Sequence, residues 1–142
     1  MGKLRLRVRF DYAGKGKSGL FGGKNSADIA EATRQQQATL SRNVPIQGIV
    51  VEDIDMSQEV YTIHDEVSDK TVSFAPVIIV FSADSIEDAI RFTMKEEFRK
   101  VEVLEPDELN LSRLDMERIF LRVNEELRLN RQILKRKMDN WK

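Results

Sequence analysis

Five consecutive residues, Val77-Ile78-Ile79-Val80-Phe81, are apolar. Successive side chains of a strand alternate between its faces, so a run apolar at every position asks for cover on both sides. Residues 70–82 therefore read as a central strand. Pro76 stands just before the run and cannot donate a ladder hydrogen bond, so a bulge or an edge is expected there. The segment Lys3–Phe10 alternates instead. Leu4, Leu6, Val8 and Phe10 share one face, and Lys3, Arg5, Arg7 and Arg9 the other. That period of two marks a half-buried strand.

The remaining elements fall around these two. Asn25-Ser26 offers a helix cap with Asp28 in the first turn, and residues 26–42 read as a helix with a thin apolar side of Ile29, Ala32 and Leu40. Residues 46–55 read as a strand. Residues 59–64 and 70–82 read as a hairpin about the polar Asp65–Asp69 turn. Asp84 and Ser85 cap an amphipathic helix whose stripe is Ile86, Ala89, Ile90, Thr93 and Met94. Residues 99–104 give a short strand, and a last helix begins near Pro106 or Ser112. Two β-α-β units flanking a hairpin point to an α+β fold. The expected form is a ferredoxin-like split βαβ sandwich, an antiparallel sheet with two helices on one face and an added C-terminal helix. Residues 1–142 make one domain, with residues 11–25 as a flexible glycine- and lysine-rich loop and residues 106–142 as a helical extension. The last helix is expected to cover the arginine-bearing sheet face, with its acids above the arginines.

The stretch Gly14–Lys24 holds five of the seven glycines and three lysines. Gly14-x-Gly16-x-x-Gly19 matches the letters of a dinucleotide fingerprint, but about six residues separate it from the helix that should receive a pyrophosphate. Gly16-Lys17-Ser18 ends like a phosphate-binding loop, but Asp11 stands where that motif needs its leading glycine. Three readings remain open. The segment is the most mobile internal stretch, or an anion nest in which Gly14, Lys15, Gly16, Lys17, Ser18, Gly19 and Lys24 hold a phosphate, a carboxylate or a nucleic-acid backbone, or a contact for a protein partner. Arg5, Arg7 and Arg9 would extend that surface. Sheet-face RNA readers also need exposed aromatics, and the first strand has none, leaving Phe74 and Phe81 as the nearest substitutes.

Chemistry is otherwise sparse. No cysteine is present, which removes disulfides and thiolate sites. His64 is the single histidine; with Asp53 and Asp55 it is the nearest approach to a metal set, at a spacing that matches no metal motif. No nucleophile, base and orienting group stand together, so no catalytic residue and no cofactor is assigned. No run approaches a membrane span and no secretory leader is visible, so a cytoplasmic protein is expected.

The formal net charge of −1 hides a separation. Residues 51–69 carry seven acids and no Lys or Arg, while residues 128–142 carry six bases against Asp139. Read in sevens, Met116, Phe120, Val123, Leu127, Leu134 and Trp141 form an apolar seam interrupted by Asn130, the pattern of a helix that pairs. A homo-oligomer, dimer or larger, is expected, with a further protein partner or nucleic acid as possible ligands.

Residues 70–127 resemble the end of the C-terminal domain of WYL-domain transcriptional regulators. The likeness runs from the strand Val72–Phe81 through the helix Asp84–Phe98 to the string VEVLEPDEL, Val101–Leu109. That family domain is ferredoxin-like and linked to effector sensing and assembly, so the resemblance implies the same fold and a regulatory use. The expectation is a non-enzymatic, self-associating regulatory or interaction module that engages a ligand or partner near Gly14–Lys24. The alternative is a binder of an anionic ligand, nucleotide or RNA through that loop and the arginine row.

Overall fold

The computed structural model describes residues 4–15, 25–67 and 69–139. They form the strands β1 (Leu4–Lys15), β2 (Ile49–Asp55), β3 (Tyr61–Asp65), β4 (Lys70–Ala83) and β5 (Phe98–Glu105), and the helices α1 (Ser26–Asn43), α2 (Ile86–Thr93) and α3 (Arg113–Asp139). The fold is α+β. One antiparallel sheet has the order β2-β4-β1-β5, and β3 joins the same edge of β4 as β2.

The alternating pattern of the first strand fixes its orientation. Leu4, Leu6, Val8, Phe10 and Tyr12 are buried, and so are Val77, Ile79, Phe81 and Ala83 of β4, with Ala89 and Phe92 of α2 packed on them. Phe92 meets Phe10 edge-on and lies 4.6 Å from Phe81 between ring centres. β1 runs five residues further than its charge alternation suggests, because Tyr12 continues the inward row and Gly14 follows it. A Cβ on Gly14 would stand 2.3 Å from the Ala30 nitrogen and 2.4 Å from the Ser26 carbonyl oxygen. Only glycine lets the first turn of α1 lie this close to β1.

α1 turns inward a face other than the expected one. Ser26, Ala30, Arg34 and Ala38 are buried at intervals of four, while Ala32 and Leu40 are exposed. The small residues let the helix approach the sheet, and Ser26 reaches Ser73 at 2.7 Å. Arg34 has a structural task. β3 pairs with β4 only as far as Phe74, and β2 begins its pairing at Ile78, so the edge of β4 is open between them. Pro76 sits in that opening, where its missing N–H goes unneeded. Arg34 fills it, donating to the carbonyls of Pro76 at 3.2 Å and Gln58 at 2.7 Å, and pairing with Glu31. The expected irregularity at Pro76 is thus a change of partner strand.

The helix starts follow their caps. Asn25 accepts from the Asp28 nitrogen, and Ser85 from the Asp88 nitrogen. Ser112 and Asp115 bond each other's backbone N–H in a reciprocal capping box, which selects Ser112 over Pro106 as the entry to α3. α3 does not cover the arginine face. It packs beside α2 through Ile119, Val123 and Glu126, and no described helix lies on the outer side of the sheet. On that side Ile78 and Val80 of β4 are half-buried.

Candidate functional site

The strand register sets the arginine row on the outer sheet face and also supplies its partners. Arg5 donates to Glu52 at 2.6 Å and lies 4.0 Å from Glu105. Arg7 meets Glu102 at 3.1 Å, and Arg9 meets Asp11 at 2.8 Å. The acids expected from α3 are not among these partners, because that helix packs beside α2 instead. The acids that do pair belong to β1, β2 and β5 on the same face. Hydrogen bonding from Arg5 first, and then from Ser82, holds the Glu52 carboxyl below its usual range.

Asp11 is the best-buried charge of that face, at 2% exposure. Burial alone would raise its carboxyl. Donation from Arg9 and the Tyr61 hydroxyl, with the charges of Arg9 and Arg99, overcomes that and holds it below the ordinary value. Tyr61 stacks on Phe74 at 5.3 Å, and the Arg99 guanidinium lies 5.2 Å above the Phe74 ring. Phe74 is thus on the arginine face but already sandwiched, and Phe81 lies fully buried on the opposite face. A base-stacking platform with free cations is not what these contacts build.

Of the loop candidates, Gly14 and Lys15 close β1 opposite Ser73 and Val72. Gly16, Lys17, Ser18, Gly19 and Lys24 lie outside the described residues. Asp53 and Asp55 lie on the arginine face of β2. His64 lies on the other face of β3, where Nδ1 meets Thr71 at 2.9 Å and Nε2 stands 3.3 Å from Asp69. Among the described residues no group of three or more such side chains is placed to hold a metal ion. No helix among them is long and apolar enough to cross a membrane.

The seam on α3 divides. Val123 is half-buried towards α2, and Asn130 lines a cleft on that side. Met116, Phe120, Leu127 and Leu134 are exposed, Phe120 at 71%. Trp141 lies outside the described residues. Met138, absent from the heptad reading, is exposed as well. These five residues share one stripe of the helix, about a quarter turn from the face on α2. Their spacing is symmetric: Phe120 and Leu134 stand 7 residues either side of Leu127, and Met116 and Met138 stand 11 either side. A heptad count favours the seven-residue steps and passes over the eleven-residue ones, so it misses Met138.

No family model, curated protein or solved structure matches the chain.

Proposed function

We propose that this protein is a non-enzymatic, self-associating interaction module whose copies pair through α3. The observation that carries the reading is the symmetric stripe about Leu127. Two antiparallel copies of α3 related by a two-fold axis at Leu127 bring Phe120 against Leu134 of the second copy, Met116 against Met138, and Leu127 against itself. A two-fold contact needs this self-complementarity. Charge agrees with the direction. Residues 105–126 carry seven acids against three bases, and residues 127–142 six bases against one acid, so antiparallel copies lay opposite charge together.

The energetics suit reversible pairing. Five side chains from each copy, each roughly half exposed, gain on the order of 1 kcal/mol apiece. About 10 kcal/mol gross, less an association cost of about 4 kcal/mol or more, leaves about 6 kcal/mol or less, a dissociation constant of roughly tens of micromolar or weaker. The strand order, with β1 and β4 central and both α1 and α2 on one face, supports the ferredoxin-like split βαβ reading. The resemblance of residues 70–127 to a domain linked to effector sensing supports a regulatory use, with a ligand or partner engaged near Gly14–Lys24. The anionic-ligand or RNA reading is the weaker one, because Arg5, Arg7 and Arg9 each already hold a carboxylate.

Sedimentation tests the pairing. The intact protein is expected to shift from monomer towards dimer between about 10 and about 500 μM, and Phe120→Asp to stay monomeric with unchanged circular dichroism. An intact protein that remains a monomer throughout that range contradicts the reading.

A further inference from the structure

The C-terminal half of α3 stands off from the turn between α2 and β5. It leaves an open cleft of about 810 Å³, within the size range of small-molecule sites. Its walls are largely apolar, with Met94, Phe98 and Val101 on one side and Leu129, Ile133 and Leu134 on the other. A second hollow of about 520 Å³ adjoins it beneath α2, sharing Thr93 and Val101 and floored by Leu4 and Leu6. Together they form an apolar trough between the helix pair and the β5 edge of the sheet.

One lining residue does not fit an apolar wall. Glu126 is 7% exposed, and its carboxylate has no hydrogen-bond or ion-pair partner among the described residues. Its oxygens open onto the cleft, since Arg34 Nε is the one fully enclosed side-chain N or O atom without a partner among the described residues. The one cation of the lining, Lys95, does not pair with Glu126. Its ammonium lies 4.9 Å from the ring centres of both Phe10 and Phe92. Burial holds that ammonium below its usual pKa, partly offset by the charge of Glu97. Counting Glu96, Glu97 and Glu126 against Lys95, the lining is net negative. Apolar walls, an accessible carboxylate without a partner and a net negative lining together suit a hydrogen-bonding cation carried on an apolar body.

We infer that this cleft is a small-molecule site for an apolar amine, with the ammonium donating to Glu126 and the apolar body lying along the trough. The site goes beyond self-association and does not rest on it, because Glu126 and the cleft walls belong to one copy of the chain. Only Leu134 belongs to both the cleft and the exposed stripe.

The test uses the intact protein and three probes of one shape: phenylbutylamine, phenylbutanol and phenylbutyrate. Amide chemical shifts followed by NMR report where each binds. The amine is expected to shift residues of 93–101 and 126–134 and to bind about tenfold more tightly than the alcohol, with the carboxylate weakest. Glu126→Gln keeps the shape and removes the charge, and it should erase the preference for the amine. Equal binding of amine and alcohol to the intact protein overturns the assignment, and so does absence of amine binding at low millimolar concentration. Those two outcomes need no variant and so do not depend on one folding. Phe120→Asp separates this site from the pairing. Amine binding that persists in that monomer supports a site within one chain. Binding lost with the pairing overturns it and gives the cleft to a second copy.

Discussion

Replacing Arg34 with Met should be among the most damaging single changes in this protein, although Arg34 lies in no candidate functional surface. The side chain is 6% exposed and fills the break between β2 and β3 along the edge of β4. It supplies the donors for the carbonyls of Gln58 and Pro76. Methionine occupies similar space and donates nothing, so the Pro76 carbonyl loses its partner in a buried site and the Gln58 carbonyl at a more exposed one. A buried polar group left unsatisfied costs about 1–3 kcal/mol. The opposing term is relief of a buried guanidinium whose Nε has no partner. The net expectation is a loss of about 2–3 kcal/mol, which for a chain of this size lowers the melting temperature by roughly 8–10 °C. Arg34→Lys, which keeps a charge and one or two donors, should fall between the two. Urea unfolding followed by circular dichroism reads the difference, with the exposed neighbour Gln35→Met as a control for methionine itself. If Arg34→Met matches the unaltered protein within about 0.5 kcal/mol, the guanidinium does not hold the split edge together, and the account of Pro76 fails with it.

Three further outcomes follow from the packing and the charges. Gly14→Ala should destabilise the fold by about 2 kcal/mol or more, because the new methyl meets the backbone of α1 rather than a movable side chain; an unchanged urea midpoint would show that the helix shifts freely. Asp11 has a lowered carboxyl pKa in the fold, so its contribution is present above about pH 4 and is lost as pH falls through its folded value. The stability gap between the unaltered protein and Asp11→Asn should therefore be constant near neutrality and close under acid, and a gap that widens below pH 4 would reverse the sign. Charge reversal of the paired face by Glu52→Lys with Glu102→Lys should raise non-specific binding of short RNA at low salt, since it frees Arg5 and Arg7. No binding in that variant would remove the face from nucleic-acid recognition altogether.

Much of the sheet was legible because its signals are local. The alternation of Leu4, Leu6, Val8 and Phe10 and the unbroken run Val77–Phe81 state which faces are covered, and Asn25, Ser85 and Ser112 announce helix starts. The face of α1 was not legible. Its inward stripe is Ser26, Ala30, Arg34 and Ala38, and an apolarity count ranks Ile29 and Leu40 above all four. The helix approaches the sheet closely because those residues are small, and its one long inward side chain is charged, so hydrophobic periodicity points away from the true face. The partners of the arginine row were missed for a similar reason. Glu52 and Glu102 are far from Arg5 and Arg7 in sequence and meet them only through strand order and register. On α3, the heptad count found Phe120, Leu127 and Leu134 but included Val123 and Asn130, which turn towards α2. The symmetry about Leu127 can be read from the sequence once exposure separates the outward stripe from the inward one.

Cysteine cross-linking reads the geometry of pairing most directly, because the chain has no cysteine of its own. In an antiparallel pair centred on Leu127, a single Leu127→Cys stands beside its own copy and should form a covalent dimer under mild oxidation. Phe120→Cys alone should not, since its two copies lie about 21 Å apart along the helix axis at 1.5 Å per residue. Phe120→Cys mixed with Leu134→Cys should cross-link again. Efficient self-coupling of Phe120→Cys, or none from Leu127→Cys, would contradict the pairing proposed for α3.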